Sequence, residues 1–161
     1  MGGTINVESQ LEFGSKFLIT LPLIPSEVKP DNSDIEINHY PDLSDRTILL
    51  AEDNKINQVV AKAMLAPTNA NIVIANNGLE AVDLCEKLSP DLIFMDIQMP
   101  KMDGLEACSI IKALNNKQII IALTANVLSE QKEVYNKLFD GYLAKPIEKR
   151  ELINILHRLF K

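Results

Sequence analysis

Four short stretches carry residues that could do chemistry together. Glu52 and Asp53 follow the apolar run 47–51. Asp96 closes the uninterrupted run Leu92 to Met95, with Pro100 and Gly104 close behind. Thr124 follows the run 119–123, and Lys145, itself followed by Pro146, comes after 142–144. Three carboxylates brought close together repel one another and do not all ionise unaided. A divalent cation removes that conflict, and hard oxygen donors with room for water and phosphate suit Mg2+. A lysine ammonium and a hydroxyl beside them would complete a site for the three oxygens of a phosphoryl group. The carboxylate can itself be the nucleophile, giving an aspartyl phosphate. Such a transfer depends on positioning and charge neutralisation more than on covalent help. Asp96, at the end of the most apolar run, is the candidate acceptor.

These residues meet only if the elements before them lie side by side. A short apolar run bounded by turn residues suits a strand buried on both faces. Strands are expected at 47–51, 72–75, 92–96, 119–123 and 142–144. Helical stretches alternate with them. Ile56, Val59, Val60, Ala63 and Met64 have helical spacing, and Pro67 ends that helix. Asn77-Gly78 turns into a helix with Val82, Cys85 and Leu88 on one face. Further helices are expected from Gly104 to about Leu114, near 129–138, and from Pro146 through Leu152, Ile155, Leu156 and Leu159. Strand and helix in alternation imply βαβ units and an α/β fold, a doubly wound five-stranded parallel sheet covered on both faces. In such a sheet the carboxyl ends share one edge, and chemistry sits just beyond it. Taken singly the residues say less. Glu52-Asp53 would serve as a cap for the first helix, Asp103 reads as a cap for the third, and Met95, Met99 and Met102 read as packing.

Composition narrows the field. The chain has 161 residues, 47% of them apolar, enough for one sizeable core plus an extension. No apolar run approaches the roughly 18 residues that a bilayer requires, and the opening Met1-Gly2-Gly3-Thr4 is not a signal peptide. Cys85 and Cys108, both in helix-like segments, do not make a disulfide framework. A cytoplasmic domain without direct membrane contact is expected. The net charge of −6 is uneven: residues 26–45 hold −5, residues 1–25 hold −1, and 46–161 balance to zero. The acidity therefore belongs to a linker, and no basic stripe argues for nucleic acid. His39, within that linker, has no partner pattern around it. Before the linker, the runs 5–7 and 17–23 flank the turn-like Glu12-Phe13-Gly14-Ser15, as a hairpin would.

The motifs together resemble a known family. Ala51-Glu52-Asp53-Asn54-Lys55-Ile56-Asn57-Gln58, the run from Met95 to Gly104, Ala122-Leu123-Thr124-Ala125 and Gly141-Tyr142-Leu143-Ala144-Lys145-Pro146 stand in the order of a CheY-like response-regulator receiver domain. The resemblance covers 46–161. It implies a flavodoxin-like sheet of order 2-1-3-4-5 and roles by position. Asp96 would accept the phosphoryl group. Glu52, Asp53 and Asp96 would bind Mg2+ with the backbone carbonyl of Gln98. Thr124 and Lys145 would contact the phosphoryl group, and Tyr142 would turn inward as Thr124 moves. The Lys145–Pro146 bond is often cis in this family. Asn-Gln after the acid pair and Asp-Ile-Gln-Met-Pro are typical of receivers attached to hybrid histidine kinases. Residues 1–25, with Gly2-Gly3-Thr4-Ile5 and Gly14-Ser15-Lys16-Phe17, resemble the end of a histidine-kinase ATPase domain without its nucleotide-binding Asn and Asp motifs. Those motifs are expected upstream, in a parent kinase that membrane anchoring would suit. The implied partners are a kinase dimerisation and phosphoacceptor domain or a histidine phosphotransfer protein, with room for a weak dimer. Two departures stand out: Pro67-Thr68-Asn69 where the family has a Gly, and a shortened loop at Leu138-Phe139-Asp140-Gly141.

Other readings of the same acids remain. A haloacid-dehalogenase-like phosphatase needs a second Asp two residues after its nucleophile, where this chain has Gln98. A flavodoxin-like cofactor binder would cradle phosphate at the first turn, where Glu52-Asp53-Asn54 would repel it. A receiver working as a phosphorylation-independent interaction module would have little use for a complete acidic site.

Overall fold

The computed structural model describes residues 3–10, 13–22, 39–125 and 138–161. They divide between a unit within 1–35 and a unit within 36–161. The first is an antiparallel hairpin of β1 (Thr4–Gln10) and β2 (Gly14–Thr20), turning through Gly14 at φ +104. Ile5 stands opposite Ile19 and Val7 opposite Phe17. Side chains alternate along a strand, so these four share one face, and all are exposed. Glu8 and Lys16 pair on the other face.

The second unit runs β3 (Thr47–Ala51), α1 (Lys55–Leu65), β4 (Asn71–Ala75), α2 (Gly78–Leu88), β5 (Leu92–Asp96), α3 (Gly104–Leu114), β6 (Ile120–Thr124), β7 (Gly141–Ala144) and α4 (Lys149–Leu159). Its strands are all parallel in the order β4-β3-β5-β6-β7, as expected from the sequence. Of the helix expected near 129–138 only Leu138 is described, and most of the linker 26–45 also lies outside the described residues. No described helix is long and apolar enough to cross a membrane.

The sheet is apolar on both faces, and its period of two divides the core. Leu49, Ala51, Ile93, Met95, Ile120 and Ala122 pack with Ala81, Cys85, Ala107, Cys108 and Ile111 of α2 and α3. Ile48, Leu50, Leu92, Phe94, Ile121 and Leu123 pack with Ala61 and Leu65 of α1 and with Leu152 and Leu156 of α4. At the amino edge, Asp91 joins the starts of two strands. Its carboxylate accepts from Thr47 N and from Arg46 Nη1, each at 2.9 Å. Both cysteines are free and buried, and burial pushes the Cys108 thiol up to about 11.

Local details refine the sequence reading. The cap of α1 is Asn54 rather than Glu52-Asp53, because its side chain accepts from the N–H groups of Ile56 and Asn57. Asp103 caps α3 as expected, accepting from Glu106 N at 2.8 Å. Pro67 sits inside a short 3-10 turn, Ala66–Thr68, and Asn69 at φ 60 takes the left-handed position that Gly fills elsewhere. The last helix starts at Lys149 instead of Pro146. Lys145 N–H still belongs to the sheet, donating to Thr124 O at 2.8 Å, so residues 146–148 are spent on the turn. The Lys145–Pro146 bond is cis.

Gly104 opens α3 against the end of β5. Its N–H donates to Ile97 O at 2.9 Å. A Cβ there would overlap the main-chain oxygen of Asp96 and approach Ile97 Cα at 3.0 Å. Backbone cannot move aside as a flexible side chain can. Gly104→Ala is expected to lower stability by about 1–3 kcal/mol, the usual range for overpacking, measured as a shift in the urea midpoint at unchanged m-value.

Candidate functional site

The carboxyl ends of four strands deliver the expected residues to one place. Glu52 and Asp53 follow β3, Asp96 ends β5, Thr124 ends β6 and Lys145 follows β7. One carboxylate oxygen from each of Glu52, Asp53 and Asp96 lies within 4.8 Å of the others. Glu52, Asp96 and Thr124 are buried and Asp53 is exposed, so the acids line a cleft that opens at Asp53.

Lys145 is the central charge. Its Nζ lies 2.6 Å from Glu52 Oε2 and 2.7 Å from Asp96 Oδ2. Burial pushes Asp96 above the usual carboxylate range, and the Glu52 charge adds to it, while the Lys145 ammonium and Gln98 N–H pull the other way. Burial alone would lower Lys145, but hydrogen bonds and charge from Asp96 and Glu52 hold it above the ordinary lysine value. Lys145 is therefore an ammonium at neutral pH.

Glu52 is held from every side. Its Oε1 accepts from Asn54 N at 3.2 Å and from Asn57 Nδ2 at 3.0 Å. Its main-chain oxygen accepts from Gln58 Nε2 at 2.5 Å, and Gln58 also donates to Asn76 Oδ1 at 3.1 Å. Sequence reasoning missed Asn57, Gln58 and Asn76 as site residues. No pattern in the sequence marks them, and the structure shows why: the buried residues of α1 are Gln58, Ala61 and Leu65. The apolar positions that revealed this helix, Ile56, Val59 and Val60, instead point outward at 74%, 67% and 46% exposure. Spacing marks a stripe without saying which stripe faces the core.

Gln98 reaches the site through its N–H, which donates to Asp96 Oδ1 at 3.3 Å. Tyr142 is 41% exposed. It pairs with Ala122, two residues before the Thr124–Ala144 pair, so Tyr142 and Thr124 share a sheet face.

Residues 48–157 match the family described as "Response regulator receiver domain". The chain belongs to this family. The receiver domain of a sensor histidine kinase from Pseudomonas aeruginosa PAO1, with a magnesium ion coordinated in its active-site cleft, is 38% identical, with a TM-score of 0.66 over 71% of this chain and 96% of that one. The receiver domain of yeast Ssk1, crystallised with the histidine phosphotransfer protein Ypd1, is 28% identical, with a TM-score of 0.64 over 75% of this chain and 90% of that one. Among curated relatives, the signal transduction histidine-protein kinase BarA of Escherichia coli is 32% identical over 96% of this chain and 18% of its own length. Histidine kinase 5 of Arabidopsis thaliana is 31% identical over 98% of this chain and 19% of its own length. The chain thus spans about a fifth of the length of these kinases.

The receiver's donor set fits Mg2+. The three clustered groups offer hard carboxylate oxygens, without nitrogen or sulfur, and Asp53 leaves the cleft open to solvent. Glu52, Asp53 and Asp96 would hold the ion, and it would supply the charge that offsets their mutual repulsion.

Without Lys145, Glu52 would remain buried beside Asp96 with its Oε2 unmatched. Removing one partner of such a pair costs more than the pair itself contributes. Lys145→Met is expected to destabilise the receiver by about 1–3 kcal/mol. Mg2+ should recover part of this by binding the folded state. Thermal unfolding with EDTA and with Mg2+ would show both effects.

Proposed function

We propose that this receiver takes a phosphoryl group from a phosphohistidine onto Asp96. The observation that carries the reading is Lys145, an ammonium 2.7 Å from a buried carboxylate that also lies in a three-acid cluster. In the transfer an Asp96 carboxylate oxygen forms a bond to phosphorus, the phosphorus–nitrogen bond breaks, and the imidazole keeps the electron pair and takes a proton. Lys145 and the Thr124 hydroxyl would meet the phosphoryl oxygens, and the Gln98 carbonyl would join the metal ligands. Tyr142, on the same sheet face as Thr124, would then change its exposure and alter the surface that partners meet. Gln98 stands where a phosphatase of the aspartyl class would place its acid. This favours a phosphoryl store over a turnover enzyme.

The partner must bring a histidine to the open side of the cleft. The outward stripe of Ile56, Val59 and Val60 on α1 begins three residues after Asp53 and suits the apolar face of a helical partner. A histidine phosphotransfer protein, or the phosphoacceptor helices of a kinase, has that chemistry. We further propose that residues 1–25 close the ATPase domain of a hybrid kinase, that 26–45 form the linker, and that 46–161 form the receiver. Two observations support this. The two receiver structures above match 71–75% of the chain, whereas the two kinases above match 96–98% of it. The hairpin also presents an apolar face that two strands alone cannot bury. On this reading the receiver works in the cytoplasm, on a kinase that is itself free to be membrane-anchored.

Acetyl phosphate or beryllofluoride with Mg2+ is expected to shift amide resonances around Asp96, Thr124 and Tyr142, and EDTA should abolish the shift. Asp96→Ala should show none. An equal response in Asp96→Ala would refute the assignment. Ile56→Asp should slow phosphoryl transfer from a histidine phosphotransfer protein while leaving the reaction with acetyl phosphate unchanged.

A further inference from the structure

Two adjacent amides on the first turns of α1 grip the same acidic residue. Asn57 Nδ2 donates to the Glu52 carboxylate at Oε1, 3.0 Å away, and Gln58 Nε2 donates to the Glu52 main-chain oxygen. The second oxygen of that carboxylate, Oε2, is the one that Lys145 meets at 2.6 Å. A carboxylate is planar, so fixing Oε1 fixes the direction of Oε2. Glu52 is 1% exposed, and a buried carboxylate has few other ways to be satisfied. Gln58 is buried and tied to Asn76, which accounts for it as part of the framework. Asn57 differs. It lies on the exposed side of its helix, and its described side-chain bond runs to Glu52.

We propose that Asn57 is a positioning residue, turning the Glu52 carboxylate so that Oε2 faces Lys145 and the acid cluster keeps the shape in which it takes Mg2+. The inference rests on the receiver reading above and deepens it. Ligand orientation by a hydrogen-bonding neighbour is a general feature of metal sites, and loss of such a neighbour commonly weakens metal binding by about 10- to 100-fold. A free carboxylate that can rotate must be ordered each time the ion binds. One held by Asn54 N–H and Asn57 is ordered beforehand. Asn57 would also keep Lys145 shared between Glu52 and Asp96, because a rotated Glu52 would draw the ammonium away from the acceptor.

Asn57→Leu removes the donor at nearly constant shape, and Asn57→Ser keeps a shorter hydroxyl on the same exposed face. Mg2+ titration of the unphosphorylated protein, followed through amide resonances of Asp53 and Asp96, gives the half-saturation. Asn57→Leu is expected to raise it roughly tenfold, with the thermal midpoint in EDTA close to that of the native protein. The rate of phosphorylation by acetyl phosphate at subsaturating Mg2+ should fall in parallel and recover at high Mg2+. Asn57→Ser should lie between. A half-saturation equal to the native value in both variants would overturn the proposal. So would a rise matched by an equal loss of stability in EDTA, which is what a purely structural residue would produce. If Asn57→Leu does not fold, the same comparison is read from Asn57→Ser. A native protein that neither binds Mg2+ nor reacts with acetyl phosphate would instead refute the receiver reading itself.

Discussion

A single ammonium group held between two buried carboxylates organises the carboxyl edge of the sheet. Lys145 arrives from the last strand, Asp96 from the central one and Glu52 from the first strand of the unit. Charges with so little access to water are tolerated only in company. Each of the three therefore needs the other two, and each comes from a different strand of the sheet. The three-acid cluster, the hydrogen bonds of α1 and the main-chain tie from Lys145 to Thr124 are all arranged around that contact. It also explains why burial raises Asp96 without lowering Lys145, since the two carboxylates together outweigh what burial does to the lysine.

Much of this was legible in the sequence because the relevant signals were local. Apolar runs of four or five residues gave the strands, and polar residues immediately after them gave the site, since a parallel sheet puts those ends together. Strand order followed from the family resemblance alone. What escaped were relations between elements. The periodicity of α1 was visible, but its burial was inverted. Gln58, Ala61 and Leu65 face inward, while the more apolar Ile56, Val59 and Val60 face out. Nothing in the pattern says that an amide is worth burying until Glu52 O is known to lie opposite it. The cap of α1 lies just past Glu52-Asp53: Glu52 is turned toward Lys145, and Asn54 accepts from the first N–H groups of the helix.

The departures from the family pattern proved mild. Asn69 carries the left-handed backbone in place of Gly, as Asn can do at modest cost. The short connection before β7 is stitched back by Asp140, whose N–H donates to Ile120 O and whose Oδ2 accepts from Ile120 N and Lys112 Nζ. One carboxylate there completes a strand end and anchors α3.

The main-chain bond from Lys145 N–H to Thr124 O, at 2.8 Å, has a mechanical meaning. It ties the first residue after β7 to the last residue of β6. Four residues beyond Lys145 the chain enters α4, whose Leu152, Ile155 and Leu156 are sunk in the core. The carboxyl end of β6 is therefore joined to the foot of that helix through only a few residues. The fold thus contains a short covalent and hydrogen-bonded path from the candidate site to its periphery.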